Sequence, residues 1–191
     1  GISGLRGNIS YTSLRFMLGQ EAATTPSSIG RAEDYAVSLR YPIYRDAKQA
    51  LYWTGGFNHK TSYNESAGTT IGDKVVDVFN TGLTIERADT FFGGGFSQLQ
   101  LGLVAGNVDL SNVDSALQAD QAVPGGPMTQ GGYQKYTAQF LRIQRGNDRL
   151  SFQLLASGQL ASKNLDGSEK LMLGGPTGVR AYPSGEAAGD E

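Results

Sequence analysis

The chain offers few side chains that could carry out chemistry. His59 is the sole histidine and there is no cysteine, which excludes disulfides, cysteine nucleophiles and metal sites built on thiolates or several imidazoles. No G-x-S-x-G elbow presents a serine nucleophile, and the glycines at 93–95 are predicted to form a turn because no phosphate-binding pattern surrounds them. We therefore expect no catalytic residue, no metal ligand and no cofactor, and we assign His59 to a lipid-headgroup or surface position.

The glycine-rich stretch LGGPTGVRAYPSGEAAGDE at residues 173–191 holds the other residue of chemical interest. It contains a single arginine, Arg180, between Val179 and Ala181. A guanidinium stays charged and presents five donors in a planar fork, so it can bridge carboxylates and hold a loop in place. Whether Arg180 does so depends on the elements that precede it.

The composition indicates a folded β protein with extensive polar surfaces. Hydrophobic residues make up 39% of the chain, charged residues 18%, and the net charge is −2. Disordered chains are also polar, but they are highly charged and poor in aromatic residues, whereas this chain has 9 Tyr and 8 Phe. The nearly balanced charge gives no indication of nucleic-acid binding. No apolar run is long enough for a transmembrane helix, and no signal peptide is visible at the first residues.

Apolar and polar residues alternate along most of the chain, as they do in strands. In one example, Leu99, Leu101 and Leu103 share a face, and Gln98 and Gln100 lie on the other. Where the alternation is clear, the polar face consists of Gln, Asn, Thr, Ser, Lys and Gly. The pattern predicts about seven strands, in residues 8–19, 34–43, 50–60, 75–87, 96–106, 133–144 and 150–161.

The lengths of the strands and of their connections favour a membrane barrel. Many of the strands approach the roughly 9–11 residues that cross a bilayer at a tilt. Short connections at 44–49, 87–95 and 145–148 alternate with long polar ones at 20–33, 62–74 and 111–132, as in outer-membrane barrels. A closed sheet is needed because the bilayer core has no water for unpaired backbone groups.

In such a barrel the apolar faces contact lipid, and the polar faces line a hydrated lumen. We predict that Gln98, Gln100, Lys135 and Gln139 line this lumen. Lys135 and Arg142 are candidates to tune its charge together, and ordinary solvated positions explain these two residues equally well. Three aromatic residues are candidates for an interfacial belt: Tyr35, Tyr41 and Trp53. Alternation alone leaves a second arrangement open, in which the apolar face is the core of a soluble β-sandwich or barrel and the polar face meets bulk water.

Four stretches resemble the outer-membrane transporters of two-partner secretion, the haemolysin secretion/activation family. YPIYRDAKQALYW at 41–53 is similar to a hairpin of that family, and GGGFSQLQLGLVAGNVDL at 93–110 is similar to its glycine turn and following strand. YQKYTAQFLRIQR at 133–145 resembles another strand. The stretch at 173–191 resembles the family's signature loop, in which Val-Arg-Gly-Tyr/Phe follows Leu-Gly-Gly. This last motif is the specific one, and the resemblance covers nearly the whole chain.

The resemblance implies an all-β, antiparallel transmembrane β-barrel. Residues 1–191 would supply about seven strands of a barrel of about sixteen, and upstream periplasmic domains and downstream strands would lie outside the chain. The signature loop, residues 173–191, would fold into the lumen, where Arg180 contacts acidic residues of a later strand. Ala181 stands where the family most often has glycine, and we expect ordinary backbone angles there. The resemblance assigns the loop's functional residues as Gly174, Gly175, Val179, Arg180, Ala181, Tyr182, Gly185 and Asp190.

The function implied is translocation of a partner exoprotein of the haemolysin or adhesin type, from the periplasm to the cell surface, across the outer membrane of a Gram-negative bacterium. The partners would be that secreted polypeptide and the lipid bilayer, with no nucleic acid, no small-molecule substrate and no enzymatic step. The alternatives are an outer-membrane protein insertase of the same superfamily, a passive porin and a soluble β-sandwich binding module.

Overall fold

Seven long antiparallel strands dominate the structure. The computed structural model describes residues 4–18, 28–147, 149–172 and 188–190. The strands pair in chain order in one sheet, and neighbouring strands are antiparallel throughout. This confirms the predicted all-β, antiparallel fold with about seven strands. Their bounds are β1 Arg6–Leu18, β2 Ser28–Arg45, β3 Gln49–Ser66, β4 Thr69–Asp89, β5 Gly95–Asp109, β6 Gly131–Asn147 and β7 Leu150–Ala161.

Three short turns connect the strands at one end of the sheet, as predicted. The turn between β2 and β3 is organised by Asp46, whose carboxylate accepts hydrogen bonds from the backbone N–H of Lys48 at 2.7 Å and of Gln49 at 2.8 Å. The Tyr44 hydroxyl donates to the same carboxylate at 2.5 Å. These hydrogen bonds, of which the one from the Tyr44 hydroxyl has the largest effect, lower the pKa of Asp46 to about 2. The turn is therefore held by an ionised carboxylate throughout the physiological pH range.

The predicted long loop at 62–74 is wrong, because β3 and β4 continue through it. They pair as far as Ser66 and Thr69, and only Ala67 and Gly68 form the turn, at φ 52° and 77°. Two central residues with positive φ are the mark of a tight hairpin turn. The segment has few apolar residues because both faces of this hairpin are polar, so hydropathy alone suggests a loop. The strands therefore extend well beyond the apolar part of the sheet.

The connection between β5 and β6 is long, as predicted, and contains the helix α1 (Asp114–Asp120). Asp120 is 4% exposed, and its carboxylate accepts hydrogen bonds from the Thr129 backbone N–H at 2.9 Å, the Thr129 hydroxyl at 2.6 Å and the Gln130 backbone N–H at 3.0 Å. These bonds fold the connection back onto itself at the entry to β6. No helix in the described ranges is both long and apolar enough to span a membrane.

The sheet has one apolar and one polar face, and the small buried core lies on the polar one. The register places Val76, Val108 and Tyr133 on the same face as Gln98 and Gln100. Val76, Val108 and Tyr133 form the buried cluster together with Val78 and Leu165. By contrast, the apolar face stays uncovered by any described residue, since Phe79 is 63% exposed and Leu154 is 58% exposed. A soluble sandwich would bury that face, so the sandwich alternative is wrong for the described part of the chain.

Candidate functional site

The apolar face carries a band that is bounded by polar residues at both ends. Along β4 the outward positions run from Asp77 to Arg87 through Phe79, Thr81, Leu83 and Ile85. Ten residues of strand at about 3.4 Å each span about 34 Å, and a tilt of about 40° reduces this to a height of about 26 Å. An outer-membrane barrel presents an apolar band about 25 Å tall to the lipid. The dimensions of this face therefore match those of a bilayer.

Aromatic and ionic residues mark the two rims of this band. At the hairpin end the rings of Tyr11 and Tyr35 lie 4.7 Å apart, and Tyr35 lies 6.4 Å from the His59 ring. His59 Nδ1 is 2.7 Å from a carboxylate oxygen of Asp77. Tyr35 and His59 therefore lie together at this end of the apolar band, and their places in an interfacial belt and at the lipid headgroups stay predictions.

Arg142 lies at the other rim, and the prediction that it tunes lumen charge together with Lys135 is wrong. The two residues are seven positions apart on β6, so they point to opposite faces of the sheet. The Arg142 guanidinium donates to the Asp89 carboxylate at 2.5 and 3.1 Å and to the Ser97 hydroxyl at 2.9 Å.

Trp53 and Tyr41 are paired in the register within the band, and the Trp53 indole donates to the Thr81 hydroxyl at 2.9 Å.

The polar face carries a ladder of side-chain amides and charges. The Gln100 amide donates to the Gln98 side chain at 2.9 Å, and the Gln98 amide donates to the Glu86 carboxylate at 3.1 Å. Glu86 also accepts from Arg40 at 3.3 Å, whose guanidinium lies 3.8 Å above the Tyr52 ring centroid. Gln139 is the register partner of Gln100 on the next strand. Three of the four predicted lumen residues thus share one face, and their place in a lumen stays a prediction.

Lys135, the fourth, lies on the same face but is covered. The segment that follows β7 crosses the polar face, and it places Leu165, which is 1% exposed, in the buried cluster with Tyr133 and Val108. Lys135 is 9% exposed. Its ammonium donates to the Glu169 backbone carbonyl at 2.7 Å and pairs with the Glu169 carboxylate at 2.9 Å. Its role as a lumen-lining residue stays a prediction.

Two acidic residues of this segment were missed by the sequence reading. Glu169 also pairs with Lys60 at 2.7 Å, and Asp166 pairs with Lys74 at 2.7 Å. Burial by itself would raise the pKa of both carboxyls, but the lysines outweigh it, helped at Asp166 by donors from Ser168, and the pKa of each lies below its usual value. Both carboxylates are therefore ionised at neutral pH.

The base of the predicted functional loop lies beside these residues. The short strands β8 (Leu171–Met172) and β9 (Ala188–Gly189) pair with each other. Asp190 accepts a hydrogen bond from the Leu165 backbone N–H at 2.9 Å and pairs with Lys170 at 3.5 Å. Met172 and Ala188, which flank residues 173–187, therefore lie side by side.

The other predicted loop residues lie outside the described residues, so their assignment stays a prediction. They are Gly174, Gly175, Val179, Arg180, Ala181, Tyr182 and Gly185.

Comparison with known proteins agrees with the fold and with the resemblance. CdiB from Escherichia coli has a similar structure, with a TM-score of 0.72 and 18% identity over 93% of this chain and 32% of that one. The heme/hemopexin transporter protein HuxB of Haemophilus influenzae (strain 86-028NP) is 24% identical over 187 residues. Those residues are 97% of this chain and 32% of HuxB, so the chain spans about a third of the length of both relatives.

A model of the haemolysin secretion/activation proteins ShlB, FhaC and HecB matches residues 8–191. This family comprises outer-membrane transporters of two-partner secretion. The match includes all seven long strands except the first two residues of β1, and it extends through the glycine-rich stretch. The chain belongs to the haemolysin secretion/activation protein family.

Proposed function

We propose that this chain forms part of an outer-membrane β-barrel through which a secreted partner polypeptide passes from the periplasm to the cell surface. The observation that carries the proposal is the uncovered apolar band on one face of the sheet, backed by a polar face on the other. An aqueous protein rarely exposes so continuous an apolar face, whereas a membrane barrel requires one. Family membership then selects polypeptide transport among the functions of such barrels.

The polar face suits a passing polypeptide chain. Gln98, Gln100 and Gln139 present amide groups that both donate and accept hydrogen bonds. An extended chain carries one N–H and one C=O on nearly every residue, and these groups need partners whenever they leave water. A lumen lined with amides, hydroxyls and glycine offers exchangeable partners without holding one sequence tightly. We infer a conduit with no covalent step, whose cargo is an exoprotein of the haemolysin or adhesin type.

The short-turn end is assigned to the periplasm and the β3–β4 hairpin to the cell surface. Outer-membrane barrels have short periplasmic turns and longer extracellular extensions. At one end, β2 and β3 are joined through Asp46. At the other, β3 and β4 run on to Ser66 and Thr69, past the rim residues His59 and Asp77. The chain would then cross the bilayer with its hairpins projecting outward.

The test is export in a Gram-negative host. The full-length protein is expressed with a candidate partner exoprotein, sought first among the products of neighbouring genes, and the exoprotein in the medium and at the surface is compared with that in the periplasm. We expect export to require the transporter. An exoprotein that remains in the periplasm while the transporter is folded in the outer membrane would contradict the proposal. Passage of small solutes without export would instead indicate a porin.

A further inference from the structure

Three lysines on neighbouring parts of the polar face converge on one short segment. Lys60, Lys74 and Lys135 belong to β3, β4 and β6. Within the part of the chain that the structure describes, their ammonium groups pair with two side-chain carboxylates, those of Asp166 and Glu169, in the segment that follows β7. The partners lie far apart in the chain, with 92 positions between Lys74 and Asp166 and 109 between Lys60 and Glu169. We call these five residues the lysine clasp.

The two sides of the lysine clasp depend on each other. Glu169 is 5% exposed and Asp166 is 9% exposed, and a carboxylate so far removed from water is costly unless it is paired. Without the carboxylates, Lys60 and Lys135 would repel each other, because their ammonium groups lie 2.7 and 2.9 Å from the two oxygens of Glu169. Removing either side therefore leaves a charge without its ion-pair partner.

The lysine clasp holds the segment in one place. Asp166 also accepts the Ser168 backbone N–H at 3.0 Å and its hydroxyl at 2.7 Å. The Glu169 N–H donates to the Asp166 carbonyl at 2.8 Å. The two acidic side chains thus project from one compact turn. Leu165, immediately before that turn, is buried against Val76 and Val108, so apolar packing and ion pairing fix the same few residues.

The segment leads into the loop base, which consists of the paired strands β8 and β9. Lys170 and Leu165 both bind Asp190, and β8 pairs with β9. The turn that carries Asp166 and Glu169 and the loop base are therefore linked by direct contacts. A displacement of the turn at Asp166–Glu169 would displace the point from which the loop departs.

We propose that Lys60, Lys74 and Lys135 are positioning residues, which tether the segment that follows β7, and with it the paired strands β8 and β9 at the base of the signature loop, to the polar face. This inference rests on the proposed function, because it assigns the polar face to the lumen. It assigns to the wall strands described here a part in placing the loop, separate from the contact expected of Arg180 with a later strand.

The test reverses one ion pair and then restores it. The variants are Lys74→Asp, Asp166→Lys and the double variant, in the full-length protein. Each single reversal places like charges together, and we expect the open, ion-conducting fraction in planar bilayers to rise by about tenfold or more. The double variant re-forms the pair with opposite polarity but loses the two hydrogen bonds from Ser168 to Asp166, so it should return conductance part of the way to that of the parent. Lys48→Asp, at an exposed turn on the opposite end, is the control for net charge.

A second readout follows the segment itself and does not depend on transport. Gly167 is exposed, and a side chain built there meets no atom within 4 Å. The chain has no cysteine, so a nitroxide on Gly167→Cys reports this position alone once any cysteine in the rest of the full-length protein is replaced. We expect a slow, ordered spectrum in the parent, greater mobility in both single reversals and recovery in the double variant.

The outcomes separate the two proposals. Unchanged label mobility in the single reversals, or loss of mobility control without recovery in the double variant, would overturn the tether. Mobility that changes and recovers while conductance stays constant would overturn its role in placing the loop. A parent protein with the expected spectrum and conductance that exports no exoprotein would count against the proposed function and leave the tether standing.

Discussion

Replacement of Leu101 by arginine is expected to destabilise the folded protein in a bilayer by about 2–4 kcal/mol. Leu101 lies on the apolar face in the row of Trp53 and Leu83, close to the middle of the band bounded by Asp77 and Arg87. A charge at that depth must be buried in hydrocarbon or drag water with it. The measurement is urea unfolding of the full-length protein in lipid vesicles, followed by tryptophan fluorescence.

Gln100→Arg is the matched control, one residue away on the opposite face. Its side chain lies on the polar face, where Gln98 donates to Glu86 at 3.1 Å, so a cation there has a carboxylate nearby. We expect the control to cost less than about 1 kcal/mol. Equal losses from the two variants, or the larger loss from Gln100→Arg, would show that the apolar face does not contact lipid.

Arg180→Ala is expected to reduce export by about tenfold or more while leaving the barrel folded. The family resemblance places Arg180 in the loop that folds into the lumen, and the described base of that loop lies on the polar face beside Leu165 and Asp190. Loss of the guanidinium would leave its acidic partner unpaired, and in a partly hydrated lumen this affects loop position more than global stability. The measurement is exoprotein export, with heat-modifiable migration of the barrel as the check on folding.

Two further variants sharpen this result. Arg180→Lys keeps the charge but loses the planar fork that can bind a carboxylate through two donors, and we expect it to restore only part of the export. Arg15→Ala, at an exposed position near the end of β1, should export at the parental rate. Parental export by Arg180→Ala would contradict the role assigned to this loop.

The sequence predicted the strands in which one face is apolar and the other is polar. In β5 the alternation of Leu99, Leu101 and Leu103 with glutamines predicts both the strand and its two faces, and the register agrees. The prediction fails at 62–74 because both faces of the hairpin beyond the band are polar there. The hydropathy of this segment then shows no alternation, and hydropathy does not reveal the backbone pairing that extends to Ser66 and Thr69.

The lysine clasp was missed because its pairs join residues that are far apart in the chain, by 92 positions for Lys74 and Asp166 and 109 for Lys60 and Glu169. One signal was present in β4, where Val75, Val76, Val78 and Phe79 interrupt the alternation. Apolar residues on both faces of a strand indicate that something covers both faces, and Val76 and Val78 are indeed covered by the segment that contains Leu165. Such an interruption predicts a covered patch, but it does not identify the segment that covers it.

The central claim, that the leucine face of β5 contacts lipid and the glutamine face contacts water, is tested most directly by single spin labels. The chain has no cysteine, so labels at Leu99, Leu101, Leu103, Gln98 and Gln100 can each be placed alone in the full-length protein in vesicles once any cysteine outside this chain is replaced. The measurement is the collision rate of each label with oxygen, which concentrates in lipid, and with a water-soluble nickel chelate. We predict high oxygen and low nickel accessibility at the three leucine positions, and the reverse at the two glutamines. The opposite phase, or no alternation with a period of two, would contradict the account.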